Sequence, residues 1–97
     1  MRKLHYFPGN ASLAAHIALE EIGQPFELVL VDREGGAHKS PHYIQLNPNG
    51  LIPVFVDRDL VLYESAAICL HLSDTAPSAG LMPALGSAQR AHAYKWL

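Results

Sequence analysis

The stretch Asn47-Pro48-Asn49-Gly50-Leu51-Ile52-Pro53-Val54-Phe55-Val56-Asp57-Arg58-Asp59-Leu60-Val61-Leu62-Tyr63-Glu64-Ser65 decides the fold. Asn47 to Gly50 is a dense turn signal. Ile52 to Val56 reads as a buried strand with Pro53 at its entrance, where a missing ladder donor is tolerated. Asp57-Arg58-Asp59 fits a tight hairpin turn, and Leu60 to Tyr63 is the returning strand. Glu64-Ser65 opens a helix whose apolar positions are Ala67, Ile68, Leu70 and Leu72, running to about Ser73 or Asp74. The unit is therefore strand, strand, helix.

Upstream, Lys3 to Tyr6 is a short strand ended by Pro8-Gly9. Leu13, Ile17, Ala18 and Ile22 recur near helical spacing, with Ser12 where a cap or first-turn residue belongs and Gly23 as the stop. Phe26, Leu28, Leu30 and Val31 form a second strand. Asp32 to Ser40 is a loop containing Gly35-Gly36, and Ser40-Pro41 opens a short helix through Leu46. Downstream, Thr75 to Gly86 reads as a linker, and a last helix begins at Ser87. The order β-α-β-α-β-β-α predicts an α/β fold: a four-stranded mixed sheet with helices on both faces. The first two strands are parallel because a helix crosses between them, and the last two form a hairpin.

Composition narrows the function. The 97 residues match one domain, with 49% hydrophobic and 16% charged residues, so a folded globular chain is expected. Net charge is −2 and the Lys and Arg residues are unclustered, which argues against nucleic acid as a partner. A single cysteine excludes an internal disulfide and any multi-Cys zinc site, and it fits a reducing compartment such as the cytoplasm. The first residues reach Pro8-Gly9 too soon for a signal peptide, and no apolar run approaches a membrane span.

Four places can carry chemistry. Pro53 follows an Ile. If that bond is cis, the Ile52 backbone N–H and C=O turn toward a ligand that pairs like an added strand; if trans, Pro53 is an ordinary strand-entry proline. Glu64-Ser65 lies at a helix N-terminus, which either holds an anion or is simply capped there. His38-Lys39 can meet an anionic ligand or lie solvated. His38 and His42 have i, i+4 spacing but no third ligand, so no metal is expected. The loop Phe7 to Ser12 leads into a helix N-terminus that would stabilise an anionic nucleophile, with Asn10 and Ser12 as hydrogen-bond donors. No Cys-x-x-Cys is present, and Cys69 reads as a small side chain within an apolar helix.

Together, Leu4 to Glu21, His38 to Tyr43, Asn47 to Val54 and Tyr63 to Ile68 resemble the N-terminal domain of the glutathione transferase superfamily. The likeness covers about residues 3–74. Tyr6-x-Pro8-Gly9-x-x-Ser12-Leu13-Ala14 looks most like the bacterial beta-type branch. The resemblance implies a thioredoxin-like fold that binds glutathione. It implies that Pro53 is the cis-proline, with the Ile52 backbone pairing with the cysteinyl part of the tripeptide. Glu64 and Ser65 then hold the γ-glutamyl part, and His38 and Lys39 the glycine carboxylate. It further implies residues 1–76 as the thioredoxin-like domain, 77–86 as an interdomain linker and 87–97 as the first part of an all-helical C-terminal domain. The whole protein is then expected to be a homodimer, to add glutathione to small hydrophobic electrophiles, and to need no metal.

The chain departs from the pattern at two places. Where beta-type members carry a cysteine in the first loop, Ala11 stands here, which excludes a mixed disulfide at that loop. Leu51 replaces a residue that is often polar. With no loop cysteine, Ser12 is expected to stabilise the glutathione thiolate, with Asn10 second. The alternative is a glutathione-binding or interaction module without catalysis.

Overall fold

The computed structural model describes residues 1–97. It contains β1 (Arg2–Tyr6), α1 (Ser12–Ile22), β2 (Phe26–Leu30), a 3-10 turn (Ala37–Lys39), α2 (Pro41–Leu46), β3 (Val54–Asp57), β4 (Leu60–Tyr63) and α3 (Ser65–Thr75), then a second 3-10 turn (Pro77–Ala79) and α4 (Ala88–Tyr94). The sheet order is β2-β1-β3-β4. β1 runs parallel to β2 and antiparallel to β3, and β3 and β4 form the hairpin. This is the expected thioredoxin-like arrangement.

The sheet's alternation builds a core on each face. Leu4 and Phe55 are register partners and both point to one face, where Ala15 and Leu19 of α1 and Ile68 and Leu72 of α3 cover them. Ala15 is fully buried in that layer, and its lack of bulk lets α1 lie close. Val54, one residue before Phe55, points to the other face and packs with Val31 and with Tyr43 of α2. The two faces therefore carry unequal loads, a pair of long helices against one short one.

Element ends differ from the sequence reading in explicable ways. β3 begins at Val54 rather than Ile52, since Pro53 has no N–H to donate. Val31 lies past the end of β2 yet stays buried, its N–H bonded to the Tyr6 carbonyl at 2.9 Å. The segment read as a plain linker contains the turn at Pro77–Ala79. The last helix starts after Ser87, whose hydroxyl accepts from the Arg90 N–H as an N-cap, and it ends at Tyr94.

Arg90 donates from Nε to the Tyr94 hydroxyl at 2.7 Å, from Nη1 to the Pro83 carbonyl at 3.0 Å and from Nη2 to Asp74 at 2.8 Å. One buried guanidinium thus ties α4 and the preceding segment to the end of α3. No helix is long and apolar enough to cross a membrane.

Candidate functional site

Three chain segments meet at one end of the sheet. Gly50 brings two of them together. It sits at φ +63°, and a Cβ there would meet the His38 carbonyl and Lys39 Nζ at 3.1 Å each. Only a residue without a side chain lets the Asn47–Gly50 turn lie against the His38–Lys39 turn. Ser40 caps α2 beside that turn, accepting from the Tyr43 N–H at 3.2 Å.

The turn then delivers Ile52. The Ile52-Pro53 bond is cis, as the resemblance implies. Ile52 precedes β3, and neither its N–H nor its C=O has a partner among the turn and side-chain hydrogen bonds of the chain. The carbonyl just before it, that of Leu51, is held by two donors: the Tyr43 hydroxyl at 2.8 Å and Asn47 Nδ2 at 3.1 Å.

The third segment is the start of α3. Glu64 is its N-cap, with φ +75°, a left-handed conformation that is uncommon for a residue with a side chain. The Glu64 carboxylate has no side-chain partner, and the first N–H groups of α3 open beside it. The Ser65 hydroxyl donates to the Ala11 carbonyl at 3.2 Å, stitching α3 to the loop between β1 and α1.

The result is a cleft of about 550 Å³. Asn10, His38, Lys39, Ile52, Pro53, Glu64 and Ser65 all line it, as do Ala11, Arg33 and Asn47. Lys39 and Arg33 bring cationic charge to the lining, and Glu64 brings an anion. His38 carries a buried Nδ1 without a hydrogen-bond partner.

Ser12 does not line this cleft. It is 2% exposed, the first residue of α1, and its hydroxyl is used internally. The oxygen accepts from the Phe7 N–H at 3.2 Å, and its one proton lies between Asn10 Oδ1 at 2.6 Å and the Phe7 carbonyl at 3.0 Å. The Ser12 N–H also donates to Asn10 Oδ1, at 2.8 Å. The expectation that Ser12 meets the thiolate directly is corrected on this point: a buried hydroxyl that ties down its own loop is not presented to a ligand. With Asn10 Oδ1 occupied by Ser12, the Asn10 Nδ2 donor has no partner within the chain.

Sequence reasoning gave no role to Tyr43 or Arg33, and it took Asn47 only as a turn residue. Burial pushes the Tyr43 phenol up to about 12, so it remains a donor at neutral pH. Cys69 is partly buried and its thiol is likewise pushed up, which suits the inert role expected of it. No group of three His, Cys, Asp or Glu side chains converges anywhere in the chain.

Residues 1–74 match the family described as the glutathione S-transferase N-terminal domain. The chain belongs to that family. A Xanthomonas campestris glutathione S-transferase is 41% identical over 98% of this chain and 46% of its own length. A glutathione S-transferase of Escherichia coli O157:H7 is 37% identical over 98% of this chain and 48% of its own. Such bacterial transferases align along nearly the whole chain, in keeping with the bacterial likeness of its first loop. The crystal structure of a Sulfitobacter glutathione transferase homologue with bound glutathione superposes with a TM-score of 0.90. It is 33% identical, over 98% of this chain and 46% of that one. The chain thus spans about half the length of the curated transferases it matches.

Proposed function

We propose that this chain is the glutathione-holding part of a glutathione transferase. One observation carries the reading: a single cleft gathers the unpaired Ile52 backbone, the α3 N-terminus with Glu64 and Ser65, the cations Lys39 and Arg33, and the Asn10–Ala11 loop. Glutathione has matching parts in matching order. Its γ-glutamyl carboxylate suits the α3 N-terminus, beginning with the Ser65 N–H, and its ammonium suits Glu64. Its cysteinyl amide pairs with Ile52 as an added strand. Its glycine carboxylate reaches His38 and Lys39. This reading uses no metal.

The cysteinyl sulfur then lies toward Asn10 and Ala11. A thiol with pKa about 8.5 must lose about two units to be mostly ionised near neutrality, worth about 2.7 kcal/mol. The α1 N-terminus contributes roughly 0.3–1 kcal/mol, and a hydrogen bond to a charged group about 1.5–3 kcal/mol. Asn10 Nδ2 supplies that bond, and Ser12 acts through Asn10 by holding its Oδ1. The thiol proton leaves to solvent. The thiolate attacks a small hydrophobic electrophile, forming a C–S bond as the leaving group departs with its electron pair. The whole protein acts as a cytoplasmic homodimer, with residues 77–86 as the linker and 87–97 as the first part of a helical domain that completes the electrophile site.

Ala11 and the burial of Ser12 favour a second reading, glutathione binding without turnover. Calorimetric titration with glutathione together with conjugation of a model aryl halide separates the two. Binding with turnover supports the transferase, binding alone supports the second reading, and no binding removes both.

A further inference from the structure

We propose that Tyr43 and Asn47 are positioning residues for glutathione: their two donors fix the Leu51 carbonyl, and with it the direction in which the next residue, Ile52, offers its backbone. The inference rests on the glutathione reading above and assigns a function to the one carbonyl in the cleft wall that is doubly held.

Several observations converge on it. A carbonyl oxygen has two lone pairs, and both are filled here, at 2.8 and 3.1 Å. That peptide plane has little freedom left to rotate. The neighbouring Ile52 N–H belongs to the same peptide unit as the Leu51 carbonyl, so holding one aims the other. Both donors are themselves immobilised, since Tyr43 is 3% exposed and Asn47 is 2% exposed. Tyr43 packs against Val54 and Val31, with the His5 ring 6.1 Å away edge-on. Asn47 is fixed at its other end, where Oδ1 accepts from the Asn49 N–H at 3.0 Å. A strand-like pairing gains affinity only when its edge is pre-aimed, because an edge that must be ordered on binding spends part of the interaction on ordering.

The chemistry of each residue allows a clean deletion. Tyr43→Phe keeps the ring and removes one donor. Asn47→Asp keeps the acceptor for Asn49 and removes the other donor. Each full-length variant is titrated with glutathione and with an analogue in which a trans-alkene replaces the amide that follows the cysteinyl residue, leaving no carbonyl to accept from the Ile52 N–H. The expected result is a loss of about 3–10-fold in glutathione affinity for each variant, the size of one neutral hydrogen bond, with affinity for the alkene analogue unchanged from wild type. KM for glutathione rises by the same factor while kcat holds.

Unchanged glutathione affinity in both variants overturns the inference. Equal losses for glutathione and the analogue also overturn it, because a merely structural role lowers both alike. A wild-type protein that binds the analogue as tightly as glutathione removes the Ile52 pairing and the inference together. A wild-type protein that binds neither ligand removes the glutathione reading itself.

Discussion

The two halves of the cleft are built on different principles. The half formed by residues 38–65 is set from beneath. Buried donors at Tyr43 and Asn47, the close turn at Gly50 and the α3 N-terminus aim backbone groups outward. The half formed by residues 7–12 is a short loop closed on itself. Ser12 ties Phe7 and Asn10 together, and only the Asn10–Ala11 tip reaches the ligand space. On the proposed reading, the first half holds the tripeptide and the second half governs the state of one sulfur.

The largest expected effect breaks the first half. Glu64→Gln removes the one anion in the cleft lining while keeping its shape, and glutathione affinity should fall about 10–100-fold, as for loss of a charge-assisted hydrogen bond. A calorimetric titration reads it, and unchanged affinity would take Glu64 out of the site. Next comes the loop. Asn10→Ala should lower kcat/KM by about 10–100-fold with glutathione affinity within about two-fold of wild type, the signature of a group acting on thiolate reactivity. An affinity loss as large as the rate loss would merge the two halves into one.

Ser12→Ala sharpens the same contrast with a smaller effect. It leaves the Phe7 N–H and Asn10 Oδ1 short of a partner, so stability should fall by about 1–2 kcal/mol in denaturant unfolding. Conjugation should drop less than in Asn10→Ala, because Ser12 acts only through Asn10.

The smallest effect concerns pH. His5 lies behind Tyr43, and burial, then Lys3, then His42, hold its imidazole below the ordinary value of 6.5. A lowered folded-state value means the stability His5 contributes is present above about pH 6.5 and is lost as pH falls through the folded value. Unfolding curves of His5→Gln should lose part of that acid dependence, and curves parallel to wild type would contradict it.

Much of this was legible in the residues. The short apolar run Leu60 to Tyr63, helical spacing in Leu13 to Ile22 and the breakers around Asn47 to Gly50 set the element order. Local physics determines those features. Pro53, Glu64 and Ser65 sit at a strand entry and a helix start that local signals mark, but the cis bond at Pro53 was legible only through the family resemblance.

Burial was harder to read. Serine at a helix start suits an exposed donor or a buried loop tie equally, and only the packing of α1 against the sheet decides. A signal for the tie did exist: Asn10-x-Ser12 is the pattern of an asparagine side chain accepting from the backbone two residues on. Tyr43 was missed because its partner lies eight residues away, although a buried tyrosine needs one. Arg33 sits in a loop whose course toward the cleft has no local marker.

If the cleft holds glutathione with its sulfur at Asn10, the bound thiol itself is the best witness. Its ionisation can be followed by ultraviolet absorbance across a pH titration of the full-length protein saturated with glutathione. The expected thiol pKa lies clearly below the free value of about 8.5, moved back toward that value in Asn10→Ala and partway back in Ser12→Ala. A saturated wild-type complex whose thiol titrates at its free value would contradict it.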